Sequence, residues 1–321
     1  MRIREYRDTE EFSRLWKRSW PAKSIFDLWE VRDCFNRAFN RPSVFFTAEQ
    51  NDQIMGLLPL SWIDEQQCFA VFPGETWQGK TWLEQNKIPA ADISIRNDLL
   101  ACIPDRAHLR YLGLDSIDTD VPTAEVDETG YIFIPGTYNY SFQPYMEQLS
   151  GKFRKNYLSE SSRLVKDGLT FRHDRISDIE HLFRMNIESF GESSYFAESR
   201  FRHGFENLIS WLMDNNMLRI TTVIIGDKVA AVDIGALWEQ HYTVLAGGTN
   251  PEFMGVAKII NFHHLEWSCS QRLKTVDFLC GDFGWKKRLN LTPRPLYQIH
   301  IRPGESLEPK SMHASMENSF V

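Results

Sequence analysis

Asp233 lies in the run VAAVDIG, a carboxylate alternating into an otherwise apolar strand, and such a group must be paired, hydrated or functional. His241 and Tyr242 open the next β-rich run, HYTVLAGGT, and with Asp233 they are the candidates for proton transfer. The stretch TNPEFMGVAK, residues 249–258, admits two readings. One is a glycine turn that offers the N–H groups of a helix N-terminus to a phosphate. The other is an ordinary helix start, with Asn250 as cap, Pro251 as first helical residue and Glu252 as a first-turn acid. Further on, Asp282 and Lys286 stand four apart, the spacing of an ion pair on one helix face unless both face a cleft.

Other chemistries find little support. Cys34, Cys68, Cys102, Cys269 and Cys280 are scattered, odd in number and never paired as C-x-x-C, so reduced thiols are expected, with no disulfide framework or zinc cage. No H-E-x-x-H occurs, and the adjacent His263 and His264 fall on different faces of a helix, one core-facing and one solvent-facing; no metal site is expected. A net charge of −7 gives no global positive field to draw the chain onto nucleic acid or anionic lipid. The longest apolar run, IMGLLPLSWI, is too short to span a bilayer, and the N-terminal residues lack an apolar signal core. A cytoplasmic protein is expected.

The elements that must position these residues follow from periodicity. At 321 residues the chain suits two domains. MRIREYR reads as a strand, TEEFSRLWKRSW and IFDLWEVRDCFNRAF as amphipathic helices, and SVFFTAEQ, QIMGLLPLSWID and QCFAVFPG as a meander. TWLEQNKI reads as a helix, after which the pattern blurs until YIFIP. After the basic helix FRKNYLSESSRLVKDG the order recurs: strand LTFRHDRI, a helix capped by Ser177, the helix FRHGFENLISWLMDNN, then strands LRITTVIIG, VAAVDIGALWE and HYTVLAGGT, the helix VAKIINFHHLEWSCSQR and strand TVDFLCG. The repeated order predicts an α+β protein of two similar halves, dividing near residues 135–144, with a loose tail.

The runs LSGKFRKNYLSESSRLVKDGLTF, MLRITTVIIGDKVAAVDIGALWEQHYTVLAGGTNPEF and VDFLCGDFGWKKRLN resemble the CelD/BcsL-like branch of the GNAT acyltransferase superfamily, over about residues 145 to 300. The matching features are Arg154, Lys155, Arg163 and Lys166 on the basic helix, the GDKVAA hairpin, and Asp277, Phe278, Gly281, Asp282, Trp285 and Lys286 in one pattern. That branch is similar to the FemX/FemAB aminoacyltransferases, which pair two GNAT-like domains.

The resemblance implies two tandem GNAT-like domains with mixed, mainly antiparallel sheets flanked by helices: residues 1–138 shaping an acceptor site, 139–305 carrying the donor site and 306–321 a tail. It implies acetyl-CoA or another acyl-CoA as donor, gripped by Gly255, Val256, Ala257 and Lys258, with Glu252 where the family's loop carries Arg or Gln. Backbone of Leu245, Ala246 and Gly247 would hold the oxyanion, on a strand that Gly247 and Gly248 allow to splay or bulge. Asp282, Trp285 and Lys286 would face substrate, Lys286 as the cation; Trp285 stands where many relatives carry a tyrosine acid, leaving the acid unassigned. The acceptor would be a small molecule or a glycan or peptide. Two alternatives stay open: a FemX-like transferase using charged tRNA, met by the basic helix from Lys152 to Lys166, and a degenerate pair that binds without catalysis.

Overall fold

The structure, a computed structural model, describes residues 1–114, 124–281 and 283–302. The first half runs β1 (Arg2–Tyr6), α1 (Thr9–Ser19), α2 (Trp29–Phe39), β2 (Ser43–Gln50), β3 (Gln53–Ile63), β4 (Cys68–Val71), α3 (Ile93–Ala101), β5 (Ala107–Leu112) and β6 (Ala124–Phe133). After α4 (Phe142–Gln148) and α5 (Gly151–Lys166) come β7 (Leu169–His173), α6 (Ile179–Phe190), α7 (Ser199–Asp214), β8 (Leu218–Ile225), β9 (Lys228–Trp238), β10 (His241–Thr249), α8 (Val256–Ser270), β11 (Thr275–Asp277), the single turn α9 (Trp285–Arg288) and β12 (Thr292–Ile301). From β7 on, the second half follows the order of the first, with α9 added before its last strand.

The strands form one sheet in the order β1-β2-β3-β4-β5-β12-β6-β11-β10-β9-β8-β7. Neighbours pair antiparallel except β4 with β5 and β10 with β11, which are parallel. Each half lends its last strand to the other: β12 inserts between β5 and β6, and β6 lies between β12 and β11. The chain leaves β6 for α4 near the expected division, while the sheet continues across it.

Burial follows from this layering. Residues 230 to 236 of β9 are all buried, because helices cover both faces of the strand. On one face α2, α6 and α7 meet Val232, Ile234, Ala236 and Leu245 in a core that also takes Trp77 and Leu83 from the first half. On the other, α8 covers Val223, Ile225 and Ala231, and α3 covers Val44, Leu58 and Leu60. Helix α1 is fixed by Asp8, whose side chain accepts the Glu10 N–H, and by acidic residues in its first turn and basic ones in its last.

Three local expectations fail for identifiable reasons. TWLEQNKI is not helical: Glu75 Oε1 accepts from Thr81 Oγ1 and from the Trp82 and Leu83 N–H groups, and Gln85 takes φ 58°, so the backbone is held as a loop. Ser177 does not cap α6; its hydroxyl accepts from Arg175 Nε, and the helix begins after Asp178. The blurred stretch contains α3, whose cap Asp92 accepts the Ile95 N–H, and β5. The tail at 306–321 lies outside the described residues, as does Asp282.

Helices α2 and α7 join the halves through aromatic packing. Gly204 of α7 lacks the Cβ that would stand 2.8 Å from Phe35 Cδ1, and Phe35 also meets Phe201, ring centroids 5.5 Å apart. Alanine at 204 gains about 1 kcal/mol of helix propensity but overpacks a buried ring at about 1–3 kcal/mol. Gly204→Ala is therefore expected to lower the melting temperature. Gly151→Ala, with open space around its Cβ, should raise it slightly; paired thermal denaturation checks the opposite signs.

Candidate active site

Strand β10 pairs with β11 only over His241–Thr243 and then leaves it, while its register against β9 shifts between Val244 and Ala246. The shift is a bulge at Leu245, which turns into the core shared with α6 and α7. Beyond it Gly247 is exposed and faces Asp233 across the pair. A Cβ on Gly247 would fall inside contact distance of Asp233 Oδ1, so only glycine lets the backbone lie against this carboxylate, which is 5% exposed.

The other oxygen, Oδ2, is 3.0 Å from Nε2 of His264 on α8, a fully buried imidazole. A carboxylate oxygen at that distance favours the tautomer with hydrogen on Nε2. Nδ1 of His264, the Thr221 hydroxyl opposite Asp233 on β8 and the Tyr242 hydroxyl are buried without a hydrogen-bond partner. Tyr242 packs over Gly235 on the same face, and burial, reinforced by the Asp233 charge, pushes its phenol well above the ordinary range. Tyr242 therefore stays a neutral phenol.

His241 is a correction to the expected trio. Strand alternation turns it to the opposite face from Tyr242, where Nδ1 meets Thr275 Oγ1 at 2.8 Å. The structure instead supplies His264, the fully buried member of the adjacent pair, which the sequence did not single out. His263 is not simply solvent-facing: it stacks on Phe171 at 4.0 Å, and burial lowers its imidazole to about 3.

The turn before α8 follows neither sequence reading in full. Asn250 accepts the Glu252 N–H, but the helix starts only at Val256, capped by Gly255 in the left-handed region at φ 93°. Glu252 points outward to Lys228, 3.2 Å away and exposed. The carboxylate at this helix end belongs to Glu160 of α5. Its Oε2 lies 2.6 Å from Lys258 Nζ and 2.9 Å from where a Gly255 Cβ would be, while Arg163 donates to the Met254 carbonyl at 2.6 Å.

Glu160 thus lies against the turn at Gly255 and engages Lys258, where an anion-binding turn would receive its ligand. A diphosphate would meet Glu160 at contact distance and find Lys258 engaged, so in this arrangement the residues do not fit the diphosphate of an acyl-CoA.

A second polar centre lies where the halves join. Lys286, expected to face substrate, is turned inward: it is 2% exposed and donates to the carbonyls of Leu279 and Cys280 at 2.8 and 2.6 Å. Burial lowers its pKa, and it holds the loop after β11. Trp285 packs edge-on against Phe278 at 5.5 Å. Asp277 is clasped by Arg294 of β12 and by Gln85 of the first half.

Beside Gln85, the buried Glu84 accepts the Cys280 N–H at 2.6 Å through Oε1, and its Oε2 has no hydrogen-bond partner. Burial, then the Asp277 charge, pushes the Glu84 carboxyl up to about 7. Gln85, Tyr111 and Leu279 around this centre all take φ between 54° and 58°, a concentration of strained backbone of the kind found at functional sites. Nothing in the local sequence of TWLEQNKI signals Glu84, because its partners come from β11 and β12. Among the described residues no group of three His, Cys, Asp or Glu side chains is placed to hold a metal.

The fold is that of GNAT-type acyltransferases in a tandem arrangement. Residues 151–287, less than half of the chain, match the family model described as an acetyltransferase (GNAT) domain. Among solved structures, FemX aligns at 9% identity and a TM-score of 0.56, over 92% of this chain and 96% of that one. L-PGS from Bacillus licheniformis aligns at 11% and 0.55, over 94% of each. A tandem GNAT protein from the clavulanic acid biosynthesis pathway aligns at 11% and 0.50, over 95% and 100%. No curated protein sequence matches the chain. At these identities the structural matches establish the fold.

Two outcomes follow. Gly247→Ala should displace Asp233 from His264 and destabilise the protein by about 1–3 kcal/mol; denaturant melts and the loss of the His264 Nε2–H signal in proton NMR check it. Because the Glu84 pKa is raised on folding, the folded state binds more protons than the unfolded chain between about 4.3 and the folded value. Its contribution to stability is present below that window and lost as pH rises through it, so Glu84→Gln should flatten this part of the stability–pH curve.

Proposed function

We propose that the protein is an acyltransferase that moves an activated acyl group onto an amine or hydroxyl in the slot where β10 parts from residues 278–281. The observation that carries this reading is the buried Asp233–His264 pair set against exposed Gly247 on a bulged strand. Asp233 takes the proton of the attacking group at Oδ1, and His264 holds the carboxylate in place through Oδ2. Backbone N–H groups of β10 around Leu245, Ala246 and Gly247 meet the developing oxyanion. The second half carries this chemistry. The first half shapes the acceptor side with the loop that delivers Glu84 and Gln85. The Asp277–Lys286 pattern resembles the CelD/BcsL-like branch, and that resemblance supports the reading of a cytoplasmic enzyme acting on a small-molecule or cell-envelope or polysaccharide-related acceptor.

Acyl-CoA is the donor that the GNAT domain suggests, and it requires Glu160 to withdraw from α8. Glu160 itself favours the second reading, an aminoacyl or peptide-bond-forming transferase supplied by charged tRNA, for which no diphosphate need be held at Gly255. Exposed Lys152, Lys155 and Lys166 on α5 would then meet the nucleic acid.

Calorimetric titration of acetyl-CoA into wild type, Glu160→Gln and Gly255→Asp separates the two. A CoA donor predicts saturable binding, tightened about fivefold by removing the carboxylate, worth roughly 1 kcal/mol, and abolished by Gly255→Asp. Absence of binding at millimolar concentration in both wild type and Glu160→Gln rejects CoA and leaves the tRNA-supplied donor or a pair that binds without catalysis.

A further inference from the structure

Helix α5 presents two opposite faces. Phe153, Tyr157, Glu160 and Leu164 follow at intervals of four, three and four, which places them on one side of the helix. That side faces the protein: Tyr157 stacks on Phe262 of α8 at 4.2 Å, Leu164 is buried, and Glu160 is bonded to Lys258. At about 100° per residue, the opposite side is centred on Lys155, Ser162 and Lys166. Lys152 and Arg163 border it along one flank. Leu158 and Val165, seven apart, border it along the other.

This outward face carries no acid. Glu160, the one acidic residue within the helix, points inward, and Asp167 stands at the C-cap. On neighbouring elements Glu147 of α4 accepts from Gln143, and Glu252 of the turn before α8 is paired with Lys228. Lys152, Lys155 and Lys166 are exposed and have no ion-pair partner among the described residues. In a chain of net charge −7, cations gathered on one face without a counter-charge are a local exception.

The apolar flank decides between partners. A single exposed aliphatic side chain is ordinary on a protein surface. Here Leu158 is 59% and Val165 57% exposed along one stripe, and Met254, 72% exposed, adjoins the helix through the bond from Arg163 to its carbonyl. A nucleic acid takes cations for its phosphates and aromatic or guanidinium planes for its bases, and exposed aliphatic side chains add little. The surface of an anionic bilayer takes both kinds of residue. Headgroups meet the lysines while leucine, valine and methionine enter the acyl boundary.

We infer that the outward face of α5, together with Met254, is a docking surface for an anionic membrane. The helix lies on the bilayer, since 16 residues with this many charges are too short and too polar to cross it. Residues 250–255 follow β10, the strand that carries Gly247, so a docked chain holds the Gly255 turn beside the lipid surface. The docking stands apart from the acyl-transfer reading, and its test does not use activity.

The test is co-sedimentation of the full chain with vesicles of phosphatidylcholine alone and of phosphatidylcholine mixed equally with phosphatidylglycerol. Wild type should bind the mixed vesicles, release them as salt is raised, and ignore phosphatidylcholine. Lys155→Gln/Lys166→Gln should weaken binding about thirtyfold and Leu158→Ser/Val165→Ser about tenfold. All four side chains are exposed, so the fold is left intact. Arg14→Gln/Lys17→Gln makes the same charge change on the exposed side of α1 and should leave binding unchanged.

No binding to the mixed vesicles, equal binding to phosphatidylcholine, or binding indifferent to either α5 variant overturns the inference. So does an equal loss in the α1 control. Binding of unfractionated tRNA that is lost in Lys155→Gln/Lys166→Gln, with no binding to vesicles, gives the face to nucleic acid instead.

Discussion

Strand β12 hydrogen-bonds to β5 on one side and to β6 on the other, and the rest of the molecule is arranged around that insertion. Each half ends its own run of strands with an edge at β5 or β11, and an edge of unpaired N–H and C=O groups inside a protein must be covered. The exchange of β6 and β12 covers both edges at once and turns two small sheets into one of twelve strands. It also binds the halves by backbone hydrogen bonds, so the loops at the seam are held to one geometry. The packing of α2 on α7, with Phe35 set against Gly204, fixes the same seam from one face.

That constraint places the chemistry. β11 pairs with β10 and with β6 over one short stretch that ends at Asp277, and beyond it the chain parts from β10. Two buried polar centres form in this half of the sheet: Asp233 with His264 of α8, and Glu84 with Cys280, Asp277 and Arg294 where the halves join. Gly247 contributes by lacking a side chain. Lys286 contributes by capping carbonyls of the strained loop, although the family resemblance had implied contact with ligand.

The end of α8 shows the same dependence on tertiary context. Glycine spacing and a helix N-terminus make an anion site possible, yet what occupies it is decided by α5, a helix that buries only Leu164 and lays Glu160 against Lys258. An amphipathic period cannot announce which carboxylate of a neighbouring helix will fill a turn almost a hundred residues away.

What the sequence determined by itself was local or periodic. The strands over residues 43–50 and 241–249, the helix at 256–270, the repeated order of elements and the α+β class follow from alternation, 3.6-residue spacing and turn residues, which act over a few positions. Asp233 was visible because a lone carboxylate breaks an apolar strand. Only the tertiary structure decided that His264 is its partner, that His241 faces away, that Lys286 points inward and that Glu84 is buried against Cys280. Each depends on contacts between residues far apart in the chain, on which face a side chain takes and on how much water remains beside it. Strand exchange across the seam sets all three, and no local pattern of residues encodes it.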